Sequence, residues 1–292
     1  MTLQFHFEPV DTLPTLSWCA RVRRDGTVVV RHGNGVETRV NGFVEGAWDG
    51  DFERFDFDQA QNLAGSGAVL RDGTVVFAAC FHPLEHLHVI QREETLVSNS
   101  LVFVLEESGE QLDLGYPNYT FDCVRIVRRG IARQPAVLRT SSDRKIELYT
   151  TCRLHIDASL KLNCLPAPLS PPPGSYGEYY DSLYHAVSGI VANAADSARR
   201  KTYTPVTACS RGYDSTAVSA LASRVGCRRG LTFTQGGRHK GHPIFGGGRP
   251  LENDSGKEAL TALGLDVSEF DRLKVLELSG HPRAEFFYTL TP

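Results

Sequence analysis

Two patterns of apolar and polar positions divide the chain. Up to about residue 160, apolar residues come in short runs rich in Val, Ile and Phe, separated by turn dipeptides, which predicts strands and hairpins. RDGTVVV (Arg24–Val30) and RDGTVVF (Arg71–Phe77) are near-copies. Each places Asp-Gly before a β-branched run, a hairpin signal. Such hairpins are common, and a repeat architecture needs several units, so they read as two separate hairpins. Further strands are expected at Leu87–Arg92, Cys123–Arg128 and Lys145–Leu154. The alternation in ERFDFDQ (Glu53–Gln59) predicts a strand with one wet face. Thr95–Glu107 reads as a helix from Leu101, Val104 and Leu105, although Val102 and Phe103 also suit a strand. Trp18 and Trp48 are expected in the core.

LPAPLSPPPGSYG (Leu165–Gly177) breaks this pattern. Proline has no amide hydrogen and fixes φ, so the stretch reads as a connection. Beyond it the period lengthens. Leu183, Ala186, Val187, Ile190, Val191 and Ala194 form an i, i+3, i+4, i+7 stripe, predicting a helix over Tyr176–Arg199. A strand at Pro205–Cys209, a helix over 215–224 and a strand at Gly230–Thr234 follow. After the glycine-rich Gln235–Asn253, Ser255 and Glu258 match a capping box, and Gly264 suits the helix stop. A last strand is expected at Lys274–Leu278. Strand–helix alternation of this kind predicts a parallel sheet covered by helices. The expected organisation is a mostly β, α+β domain at 1–164, a proline-rich linker at 165–175 and an α/β domain at 176–292.

Composition changes this picture little. The 292 residues carry a formal charge of −3 with 41% hydrophobic residues, as expected of a globular protein with a substantial core. The pI near 6.4 gives no electrostatic footprint for nucleic acid. No apolar run is long enough to span a bilayer. The start MTLQFHFEPV has neither a basic segment nor an apolar h-region, so a cytoplasmic location without membrane attachment is expected. Seven cysteines at wide spacing, with no CxxC pair, read as reduced thiols.

The chemistry concentrates in TACSRGYDSTAVSALASRVG (Thr207–Gly226). A strand leads through SRGYDS into a helix. A helix N-terminus offers unpaired amides and partial positive charge, which suits an anion. Gly212 permits close approach of a ligand. Ser210 and Ser215 supply hydroxyls, and Asp214 fits beside phosphate once Mg²⁺ is included. The loop lacks the Gly-Lys-Ser/Thr of a Walker A motif. It resembles the S-G-G-x-D-S pyrophosphate loop of the N-type ATP pyrophosphatases. The matching positions are Ser210, Gly212, Asp214 and Ser215, and Arg211 stands where the family has glycine. Arg211 could add a phosphate-binding charge.

The two-part layout is similar to that of the asparagine synthetase group. GSGAVLRDGTVVFAA and LVSNSLVFVLEESG resemble diverged pieces of its amidotransferase-type domain. The resemblance implies an adenine nucleotide alpha hydrolase-like second domain that binds ATP and Mg²⁺. Arg211 and Tyr213 fall within the phosphate loop, Asp214 is the Mg²⁺ ligand, and Leu231, Thr232 and Phe233 are the adenine-side positions. It implies an AMP-forming ligase that adenylates a carboxylate, releases pyrophosphate and joins an amine. No position is assigned as catalytic. Thr2 occupies the family's nucleophilic cysteine position, so the first domain is expected to be inactive. The second is shorter than the family's, so it is expected to be incomplete. A non-catalytic nucleotide-binding or scaffold relative stays open, as does a nucleobase- or tRNA-modifying enzyme, the tRNA version being disfavoured by the acidic pI. Self-association into a homo-oligomer also stays open.

Three further stretches invite chemistry. HPLEHLH (His82–His88) could put His86 and His88 on one strand face as zinc ligands, but it reads more simply as polar strand positions. Arg238, His239 and Lys240 in the glycine-rich stretch could meet phosphate, or only solvent. Asp254 is either a helix-start residue or a polar group of the site.

Overall fold

The computed structural model describes residues 2–123, 130, 134–142, 144–167, 170–234 and 254–271. The elements, in order, are β1 (Gln4–Pro9), β2 (Trp18–Val22), β3 (Thr27–His32), β4 (Glu37–Arg39), β5 (Gly42–Trp48), β6 (Leu63–Arg71), β7 (Thr74–Ala78), β8 (Leu87–Gln91) and β9 (Thr95–Ser98). Next come α1 (Leu101–Ser108), α2 (Tyr119–Cys123), β10 (Ala136–Arg139), β11 (Lys145–Tyr149), β12 (Cys152–Ile156), β13 (Leu162–Pro166) and α3 (Tyr176–Ala194). The series ends with β14 (Val206–Ala208), α4 (Tyr213–Arg224), β15 (Arg229–Phe233), α5 (Lys257–Ala262) and β16 (Asp266–Phe270). The chain divides into two compact units. The first takes the described residues up to 171 together with Ser197–Lys201; the second takes those of 172–196 and from 202 onward.

The first unit holds a seven-stranded sheet, ordered β1-β3-β2-β9-β8-β11-β10, and a six-stranded sheet, ordered β13-β12-β7-β6-β5-β4. Only β1 and β3 pair in parallel; the other ladders are antiparallel. One core joins Trp18, Ala20, Val28 and Val30 of the first sheet to Phe43, Phe77 and Leu154 of the second. The two sheets therefore pack face to face. Strand β7 shows why its VVF run does not alternate with polar residues. Val75 and Phe77 face this core, whereas Val76 and Ala78 face a second core on the other side. Both Asp-Gly sites form hairpins, one in each sheet: β2 to β3, with Gly26 at φ 88°, and β6 to β7, with Asp72 and Gly73 at φ 46° and 76°. Gly46 and Gly65 face each other across β5 and β6 at φ 87° and 136°. A Cβ on either would lie 2.0–2.1 Å from the opposite strand's carbonyl oxygen, so the two backbones meet where no other residue fits.

Several expectations need correction. Thr95–Glu107 is not one helix. Its first part is β9, and Ser100 then caps α1 by accepting the Phe103 amide at 3.1 Å. Lys145–Leu154 is two strands. The chain turns at Thr151, φ 48°, and leaves one sheet for the other. Glu53–Gln59 is a succession of turns, not a strand. Phe52, Phe55 and Phe57 fold over Trp48 to form the outer core of the second sheet. There Arg199 stacks on the Phe52 ring at 4.3 Å. Both tryptophans are fully buried. Cys123 ends a helix, and the rest of the strand expected at Cys123–Arg128 lies outside the described residues. So do the strand expected at Lys274–Leu278 and the Gln235–Asn253 stretch with Arg238, His239 and Lys240.

The second unit contains a parallel sheet, β14-β15-β16, with α4 after β14 and α5 after β15. Its long helix α3 is capped by Ser175 and stops at Ala194, short of Arg199. Helix α5 packs tightly on the sheet, since a Cβ on Gly230 would come within 2.8 Å of Leu260. The cap of α5 is Gly256, not Ser255, so the expected capping box does not form. Gly264, at φ 72°, does follow its last turn. No helix among the described residues is long and apolar enough to cross a membrane.

Candidate functional site at the end of the parallel sheet

Strand β14 delivers Cys209 and Ser210 directly to the N-terminus of α4. The Cys209 amide continues the ladder by donating to the Leu231 carbonyl at 2.9 Å. Thr232, almost fully buried, donates its hydroxyl to the Cys209 carbonyl at 2.8 Å and accepts the Gly256 amide at 2.8 Å. One hydroxyl thus ties three segments together. Gly256 itself is required by space, since a Cβ would sit 2.7 Å from Cys209.

Within SRGYDS, the Ser215 hydroxyl receives the Ser210 amide at 3.0 Å and lies 3.0 Å from the Ser210 hydroxyl. It also lies 3.0 Å from the Gly212 carbonyl, to which it donates. The Ser210 hydroxyl accepts the Gly212 amide at 3.2 Å. These serines therefore shape the loop in addition to offering oxygen atoms. Gly212 caps α4 with φ −72° and ψ 148°, and no side chain caps the helix. Any residue can adopt those angles, so backbone freedom is not what favours glycine. A Cβ would meet the Ser210 hydroxyl at 3.3 Å, a tight contact that a shift of that side chain by a few tenths of an ångström relieves. The Arg211 amide donates to the carbonyl and carboxylate oxygens of Asp254 at 3.2 and 3.3 Å. Ser210 forms an isolated bridge with Ser255.

Asp214 lies in the first turn of α4, and its neighbour Tyr213 is 95% exposed. Leu231, Thr232 and Phe233 lie along β15, paired with β16. The Thr232 side chain is committed to the bonds above, which leaves Phe233, 41% exposed, as the accessible side chain at that strand end. No protein-family model and no curated protein matches the chain. The site is therefore judged on its own geometry. Strand, loop and helix bring Ser210–Ser215 to one edge of a parallel sheet, where the first amides of α4 and its dipole face outward. Backbone amides at a helix start and a carboxylate in its first turn are the group types that phosphate and Mg²⁺ take. Sequence reading missed the fixing role of Gly256, whereas Asp254, read as either a helix-start residue or a polar group of the site, holds the loop by accepting the Arg211 amide. The only signal was a glycine after Asn-Asp-Ser, which looked like helix-start chemistry.

The His82–His88 segment divides in two. His82 Nε2 lies 3.2 Å from the Glu85 carboxylate. The rings of His86 and His88 are 6.4 Å apart, and His88 contacts the Ser98 carbonyl at 3.3 Å through Nδ1. Burial pushes the His88 imidazole down to about 3.

Proposed function

We propose that the second unit binds ATP with Mg²⁺ at Ser210–Ser215, and that the chain is an asparagine synthetase-like ligase joining a carboxylate to an amine. One observation carries this reading: the SRGYDS loop joins the end of a parallel strand directly to the N-terminus of α4. The amides of that first turn and the hydroxyls of Ser210 and Ser215 would hold phosphate oxygens. Asp214 would hold the cation, Arg211 would add charge, and the β15 end at Leu231, Thr232 and Phe233 would take the adenine. The nucleotide, when bound, supplies the adenylyl group that activates a carboxylate as pyrophosphate leaves. The Arg211–Asp254 bonds fix the loop backbone, whereas the Ser210 and Ser215 hydroxyls would turn from their present partners to donate to phosphate.

Calorimetric titration of ATP with and without Mg²⁺ tests this. Asp214→Ala should abolish the Mg²⁺-dependent part of binding, because the cation loses an oxygen ligand. Identical titrations of wild type and variant would sink the assignment. A second reading, nucleotide binding without turnover, is favoured by one feature: Arg211 stands where the pyrophosphate loop that SRGYDS resembles has glycine. Release of pyrophosphate with candidate carboxylates separates the two.

A further inference from the structure

The loop between β7 and β8 gathers three different metal-ligating side chains. Cys80, His82 and Glu85 point one donor atom each toward a common space, all within 4.8 Å of one another. Tetrahedral ligands 2.0–2.3 Å from a zinc ion stand roughly 3.3–3.8 Å apart, so only a small closure separates this arrangement from a coordination sphere.

The backbone that carries them is fixed. The Cys80 carbonyl accepts the Thr151 amide at 3.0 Å, and the His82 carbonyl accepts the Thr150 hydroxyl at 2.9 Å. The Phe81 amide donates to the Leu63 carbonyl at 3.1 Å. Cys80 is buried, whereas His82 and Glu85 reach solvent, so an ion has a path in. In the same segment, Nε2 of His86 is buried without a hydrogen-bond partner. A buried imidazole nitrogen is seldom left unsatisfied, and here it adds a spare donor beside the cluster.

We infer that Cys80, His82 and Glu85 form a zinc site. The mixed thiolate, imidazole and carboxylate set suits borderline Zn²⁺ and disfavours Mg²⁺ and Ca²⁺, which take oxygen ligands. The site is carried by the first unit and is separate from the Ser210–Ser215 loop.

Cobalt titration of the reduced full-length chain tests it. Wild type should take up one Co²⁺ with a thiolate charge-transfer band in the near ultraviolet and strong visible bands of tetrahedral cobalt, both erased by Zn²⁺. Cys80→Ser should lose the charge-transfer band, whereas Cys164→Ser, at an exposed thiol, should keep it. His82→Ala and Glu85→Gln change partly exposed side chains. Each should weaken zinc retention by at least about ten-fold. A wild type without the band, or a band that survives Cys80→Ser or His82→Ala, would overturn the site.

Discussion

Thr232 shows how much one hydroxyl can determine. It donates to Cys209 and accepts from Gly256 while almost fully buried. Thr232→Val keeps the shape and removes both bonds, leaving the Gly256 amide and the Cys209 carbonyl short of a partner. A buried unsatisfied polar group costs about 1–3 kcal/mol. Chemical denaturation followed by far-ultraviolet dichroism should show a loss in that range, and an unchanged midpoint would refute the role. Arg211 makes the opposite kind of contribution. Its backbone is fixed by Asp254 whatever its side chain, so Arg211→Ala should leave the loop's shape alone. A charge-assisted bond to phosphate is worth about 1.5–3 kcal/mol. The variant should therefore bind pyrophosphate roughly 10- to 100-fold more weakly. Equal binding by wild type and variant at low salt, where screening is weakest, would place the guanidinium away from the anion.

At the scale of elements, helix α1 is short and begins at a single serine. Ser100 accepts the Phe103 amide, and Gly109 closes the last turn at φ 70°. Ser100→Ala should destabilise the first unit by about 1 kcal/mol, the usual effect of losing an N-cap. Ser100→Asp should restore most of it, and a denaturation series in which alanine and aspartate behave alike would discount the cap. Those same residues were visible in the sequence, yet Thr95–Glu107 read as one helix. Apolar residues on both faces of a doubly covered sheet mimic helical spacing, and β9 is buried on both sides. The corner at Thr151 was hidden because KIELYTTCRL has no Gly, Pro, Asn or Asp to mark the turn from one sheet to the other. Where one element carries its own punctuation, as at Ser175 before α3 or Asp-Gly in the two hairpins, sequence and structure agree. The strand–SRGYDS–helix unit was legible for that reason: strand, polar turn and helix are contiguous. Gly256 was not, because it reaches the loop only through folding, and for the same reason Asp254 stayed open between a helix start and the site. Cys80 likewise joins His82 and Glu85 only through the turn of the β7–β8 loop, while reading HPLEHLH as a strand drew attention to His86 and His88.

Over the whole molecule, the pH dependence of stability should carry the mark of a carboxyl group buried in the first unit. Glu45 accepts the Ser66 hydroxyl at 2.6 Å and lies 3.5 Å from the Asn99 amide. Burial, with a smaller push from the Glu85 charge, raises its carboxyl from an ordinary 4.5 to about 7, although both hydrogen bonds act the other way. Between those values the native protein keeps a proton that the unfolded chain has released. Stability therefore falls as pH rises through this window, by up to about 3 kcal/mol when it is complete. His88 acts on the acid side. Its imidazole is held neutral by burial and the unfolded chain's is not, so stability falls as pH drops below about 6.5. From about pH 6.5 to 4.5 the two effects oppose each other, and of the two only that of Glu45 continues above that window. Glu45→Gln keeps an acceptor for Ser66 and removes the titration. Both tryptophans lie in the unit that contains Glu45, so denaturation of metal-free protein followed by indole emission reports on the right core. The stability of the variant relative to wild type should climb between about pH 4.5 and pH 8 and then level off. A difference that stays flat across that range would mean that Glu45 keeps its charge inside the fold, stabilised by Ser66 and Asn99 against the cost of burial.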